Sequence, residues 1–153
     1  MADHIYELGW TFTSAAAGAI GEVIPATLVA GKRMPEIREI GVFNQSGVAA
    51  QIGFGQPTAI GVTPGTLKTV QAVDTQDTLV GNTQVAASWG TAPTAPTTYR
   101  RRMDLQAVQG SGVIWTWLPG EVVMWSGATI NTLVIYQISS AAVTYDCYIK
   151  VAE

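Results

Sequence analysis

One histidine, His4, and one cysteine, Cys147, are the only imidazole and thiol in the chain. Nucleophilic and acid–base catalysis need such groups in pairs, with a base within hydrogen-bond reach of the nucleophile. Cys147 falls in register with Tyr145 and Ile149 in an alternating run, where a thiol packs as a small apolar group, and His4 stands ahead of the first patterned segment. Leu118-Pro119-Gly120-Glu121 looks like the turn of metal-holding β-barrel enzymes, which usually use two or more histidines with a carboxylate, but with no such ligand set around it the tetrad reads as a plain hairpin turn. Asp74 and Asp77 share one polar segment and read by default as solvated carboxylates, with a calcium site or a carboxylate pair for glycoside hydrolysis as the alternative. Gly53-Phe54-Gly55 and Gly110-Ser111-Gly112 lack the lysine and the strand-to-helix context of a phosphate cradle and read as bends or bulges. These residues predict a non-enzyme with no metal and no cofactor.

Two clusters suit binding instead. Tyr99-Arg100-Arg101-Arg102 sets guanidinium forks beside an aromatic ring; such forks match carboxylates or phosphates two bonds at a time, and the competing reading is a solvated run at a loop edge. The run follows Thr91-Ala92-Pro93-Thr94-Ala95-Pro96-Thr97-Thr98, which has almost nothing to bury, so residues 74–99 are expected to form a long Pro/Thr-rich surface loop. Loops of that length usually carry contacts, which makes Tyr99, Arg100, Arg101 and Arg102 the candidate partner contact. Trp89, Trp115, Trp117 and Trp125 could include a stacking platform for sugar rings, or could fill a core or a subunit interface.

The elements that must position these residues follow from composition and period. The chain has 153 residues, enough for one domain with a closed core, and only 12% are charged where a typical chain has about a quarter. A net charge of −3 gives no general attraction to nucleic acid or anionic lipid, and no apolar run is long enough for a membrane helix. Met1-Ala2-Asp3-His4 has no basic or apolar leader character, and a lone thiol fits a reducing cytosol.

Tyr6, Leu8, Trp10 and Phe12 alternate with small or polar residues, the period of a strand with one buried face. Ser14 to Gly21 reads as a connection, and Glu22 to Ala30 as a second strand. Pro35 to Phe43 reads as a strand, with Asn44 to Gly47 as a hairpin turn into the alternating Val48, Ala50, Ile52 and Phe54. Leu67 to Val73, Val113 to Trp117, Val122 to Trp125, Ile130 to Ile138 and Val143 to Val151 supply further strands. No segment predicts a helix. The expected fold is therefore one all-β domain over residues 1–153, an antiparallel β-sandwich with the jelly roll as the nearest variety. Between Leu105 and Ile149 the only formal charges are Glu121 and Asp146, although half of every strand there should face outward. This predicts a homo-oligomer, with a trimer as the leading number and a pentamer not separated from it, and with Trp115, Trp117, Trp125, Val134 and Tyr136 in its interface; an outer face tiled by Thr, Gln and Ala is the monomeric alternative.

Ile40-Gly41-Val42-Phe43-Asn44, Ala50-Gln51-Ile52-Gly53-Phe54-Gly55-Gln56-Pro57 and Ile60-Gly61-Val62-Thr63-Pro64 together resemble small virion proteins of tailed bacteriophages. The resemblance covers about residues 37–65 and rests on glycine turns. It implies a β-sandwich module that assembles in the host cytoplasm, joins the virion, and binds the major capsid protein as a capsid decoration or cement protein. A tail, collar or fibre component is the alternative within the virion. A carbohydrate-binding module that recognises host glycans through exposed tryptophans such as Trp89 is the alternative outside that class.

Overall fold

The two segments that alternate most strictly make the longest ladder. β1 (Ile5–Ser14) and β13 (Val143–Ala152) pair antiparallel from Ile5 opposite Ala152 to Ser14 opposite Val143. Tyr6, Trp10, Tyr145, Cys147, Ile149 and Val151 turn inward and are buried, while on the outer face the Thr11 hydroxyl donates to Asp146 Oδ1 at 2.7 Å. The computed structural model describes residues 4–25, 34–76, 81–124 and 132–153, and among these the regular structure is all strand.

Six more strands complete the sandwich: β2 (Gly18–Pro25), β3 (Glu36–Asn44), β4 (Ala50–Gly55), β10 (Tyr99–Leu105), β11 (Gly112–Thr116) and β12 (Leu133–Gln137). One sheet runs β11-β3-β13-β1 and the other β10-β4-β12-β2, all antiparallel. Strands β1 and β2, β3 and β4, β10 and β11, and β12 and β13 are consecutive in the chain, yet the members of each couple lie in opposite sheets. That winding is a jelly roll. Ile20, Val23, Ile37, Ile40, Val42, Ile52, Phe54 and Ile135 fill the space between the sheets with the inward residues of β1 and β13.

Residues 44–49 are not a hairpin turn, because β3 and β4 belong to different sheets. Asn44 instead holds a corner: its Nδ2 donates to the carbonyls of Val48 at 2.7 Å and Gln106 at 3.0 Å, and its Oδ1 accepts from the amide and the hydroxyl of Ser46, both at 2.9 Å. A turn signal reports reversal of direction, not which sheet the chain enters next. The run Leu67 to Val73 likewise divides, into β6 (Lys68–Thr69) beside the second sheet and β7 (Gln71–Ala72) beside the first, with buried Val70 at the crossing. Around Val122 to Met124 the described backbone makes a single bridge, Glu36 to Val123, rather than a strand.

The segment 74–99 departs furthest from its expected form. Thr83–Ala86 is β8, paired to β2, with Thr83, Val85 and Ala86 all buried, and Trp89–Thr91 is β9, paired to β5 (Val62–Pro64) in a separate two-stranded sheet. Of the short strands between β4 and β10, β7 extends the first sheet past β1, and β8 and β6 extend the second past β2. Pro93 and Pro96 are buried while Thr94, Ala95, Thr97 and Thr98 are exposed. A spacing of three is one turn of extended polyproline, so both rings fall on the inward side.

Candidate functional site

The arginine run is a strand, not a loop edge. In β10 the register against β4 slips between Tyr99 and Arg101, which leaves Arg100 in a bulge. Beyond it, Arg101, Met103 and Leu105 stand opposite Phe54, Ile52 and Ala50 and share their face toward the other sheet, while Arg102 and Asp104 point to the outer face. The Tyr99 ring lies over Gly53, where a Cβ would come within 2.3 Å of Cδ1. Burial, and then the neighbouring Tyr136, hold the Tyr99 phenol above its ordinary range against the opposing pull of Arg102. The Arg102 guanidinium sits 5.5 Å from the Tyr99 ring centroid and donates to Gln51 Oε1 at 2.6 Å; Gln51 Nε2 in turn donates to Asp104 Oδ1 at 2.7 Å. Arg102 is thus committed to its own sheet. Arg100 and Arg101 are exposed and make no ion pair with the described residues.

β10 ends the second sheet and β11 ends the first, and the two touch. Trp115 and Trp117 close the gap between the layers from below, tilted against Phe54 at centroid distances of 6.5 Å and 5.3 Å. Met103, at 43% exposure, stays open to solvent beside them, whereas Ile114, at 52%, stands opposite Gly41 on the outer face of the first sheet. Charge on an edge strand is also the usual guard against uncontrolled pairing, so Arg100 and Arg101 allow a partner that neutralises them and repel one that does not.

The residues expected in a subunit interface separate. Trp115 is buried in the core and Trp117 is half-buried against Phe54; Trp125 lies outside the described residues. Val134 and Tyr136 do face outward from the second sheet, but Val134 is fully buried by the chain's own segments. In register it stands between Glu22 and Gly55; Gly61 and Trp89 lie over Glu22, and Pro96 and Thr98 lie over Gly55. Val134 is therefore covered within the chain, while Tyr136 on the same face stays partly exposed.

Glu22 anchors this cover. Its buried carboxylate accepts from Trp89 Nε1 at 2.9 Å, from the Gly61 amide at 3.2 and 3.3 Å, and from the Thr132 hydroxyl at 2.7 Å. Trp89 is consequently a peg for the covering segment rather than a free sugar platform. A second anchor is Glu153, whose carboxylate accepts from the amides of Asn82 at 2.5 Å and Thr83 at 2.7 Å. Sequence reasoning missed Glu22, and the only local signal was a carboxylate heading an otherwise apolar strand.

The remaining candidates have structural places. Cys147 is buried, and burial followed by the neighbouring Asp146 pushes its thiol far up, away from a reactive thiolate. Leu118 to Glu121 is a turn with Gly120 at φ +84°, closed by the Leu118 amide donating to Glu121 Oε2 at 2.7 Å. Among the described residues, the open side offers two guanidinium groups without an ion pair, a strand edge on each sheet without a partner, and the partly exposed Met103. Compared with known protein families, curated proteins and solved structures, the chain has no match.

Proposed function

We propose that this chain is a non-enzymatic structural protein that docks through its β10–β11 side onto a larger assembly, as a decoration protein on a bacteriophage head. One observation carries the reading: among the described residues both sheets end in unpaired strands on the same side of the sandwich, whereas β6, β7 and β8 extend the other side. Paired free edges with two uncommitted arginines suit a partner that supplies carboxylates and an extended segment. The resemblance of residues 37–65 to phage virion proteins and the low charge density agree with a part made to be covered. On this reading the protein assembles in the host cytoplasm as a homo-oligomer, a trimer by preference, and binds the major capsid protein. Each oligomer bridges neighbouring capsid subunits and stabilises the shell by mass action, because it binds only the assembled state.

Light scattering on the purified protein, followed by co-sedimentation with empty phage heads, tests the proposal. A stable oligomer that pellets with heads, and an Arg100→Ser/Arg101→Ser variant that keeps its fold but stays in the supernatant, are the expected results. A monomer that never pellets, or a double variant that pellets like the parent, overturns it.

A further inference from the structure

The outer face of the first sheet holds a feature that the docking proposal does not use. Tyr148 on β13 stands between two glycines, Gly41 on β3 and Gly9 on β1. Its ring leans over Gly41, where a Cβ would lie 2.0 Å from Cε1; one strand further on, the Phe43 ring leans over Gly112 in the same way, 2.3 Å from Cδ1. The two rings are parallel within 16°, with centroids 6.3 Å apart, and form an aromatic strip across three strands. The lean of Tyr148 leaves the Gly9 side empty. A groove of about 670 Å³ runs there, walled by Glu7, Gln71 and Lys150 and bordered by Tyr148.

We propose that this groove is a carbohydrate-binding site, with a pyranose ring laid on Tyr148 and the bare backbone of Gly9. The match is in the chemistry of the lining. A sugar presents an apolar C–H face, which packs on an aromatic ring, and a rim of hydroxyls that both donate and accept. Glu7 supplies an acceptor, Lys150 a donor and Gln71 both, around a shallow opening that suits a solvated ligand. Lys150 is held near the ring, 5.9 Å from the Tyr148 centroid, and Glu39 fixes both groups: the Tyr148 hydroxyl donates to Glu39 Oε1 at 2.6 Å, and Lys150 Nζ lies 3.4 Å from the same oxygen. Nucleic acid is a poor fit, since Glu7 and Glu39 repel phosphate, and an aliphatic chain would leave the wall charges unsatisfied. The site is independent of the docking side, so either proposal can fail alone.

The test is an amide-shift NMR titration of the whole protein with cellotetraose, maltotetraose, chitotetraose and, as an anionic comparison, a short polyuridine. At least one tetrasaccharide is expected to move the Gly9, Gly41, Tyr148 and Lys150 signals with saturation below about 10 mM, the weak end of single-site affinity. Tyr148→Ala is expected to weaken that binding about tenfold and Tyr148→Phe by much less, because stacking is kept. Should Tyr148→Ala fail to fold, the exposed walls Glu7→Ala and Gln71→Ala serve in its place, each with reduced affinity expected. Silence from all three sugars, shifts confined to another face, a response to polyuridine alone, or unchanged affinity in the variants overturns the proposal.

Discussion

Replacing Glu22 by alanine removes one carboxylate and leaves three donors, the buried Thr132 hydroxyl and the partly buried Trp89 indole N–H and Gly61 amide, without their acceptor. An orphaned buried donor costs about 1–3 kcal/mol, and losses at one centre are not additive, so about 3–5 kcal/mol is expected for the set. For a chain of this size that lowers the melting temperature by about 10 °C. Glu22→Gln keeps one acceptor oxygen but turns an amide toward a donor, and about half the loss follows. Urea denaturation of both variants measures the energies, and hydrogen exchange at the Gly61 amide shows where they act: its protection should collapse in Glu22→Ala while the β1–β13 ladder stays protected. The reasoning is refuted by a loss below about 1 kcal/mol, the size of an ordinary surface substitution. It is equally refuted by a large loss in which Gly61 keeps its protection, since the cover would then be held by something other than Glu22.

Two further predictions concern the same framework. Deleting residues 91–98 uncovers Val134 and Gly55, so the variant should be destabilised and prone to aggregate in a thermal melt followed by scattering, whereas a merely solvated arm could be removed without effect. The Tyr148 phenol is pushed up to about 12, first by burial, then by its bond to Glu39, then by the charges of Glu39 and Glu7. Because the folded value lies above the ordinary 10.0, the stability tied to the neutral phenol is complete below pH 10 and is lost as the pH rises through about 12. Site-resolved NMR titration of the tyrosines should show this late ionisation, and Glu39→Gln should bring it down part of the way, with burial retained; an unmoved midpoint would exclude Glu39 as a cause.

Strand existence was legible wherever one face is buried and the other wet. β1 and β13 alternate without a break, and their partners Thr11 and Asp146 are polar on the outer side as the period requires. β10 escaped the same test because three successive arginines erase any alternation, although charge is what an edge strand carries. β8 escaped because four residues are too few to show a period, and their burial comes from β2 and β6 on either side. Val134 shows the limit from the other direction. Its sequence context demanded cover on both faces, but nothing local could distinguish a neighbouring subunit from Gly61, Trp89, Pro96 and Thr98 of the same chain.

By itself the sequence determined the all-β class, the inward set of the long strands, the burial of Cys147 and the expectation that the outer faces of the last strands would be covered. These depend on the two-residue period of an extended backbone and on the scarcity of charge, both of which are local properties. Only the tertiary structure decided that the turn at Asn44 changes sheets, that the proline-spaced segment lies against β4, that Glu22 collects donors from residues 61, 89 and 132, and that Tyr148 borders a groove floored by Gly9. Each of those joins groups far apart in the chain. Such contacts exist only once the two sheets have wound together, because loop closure brings the ends into register before the side chains can meet.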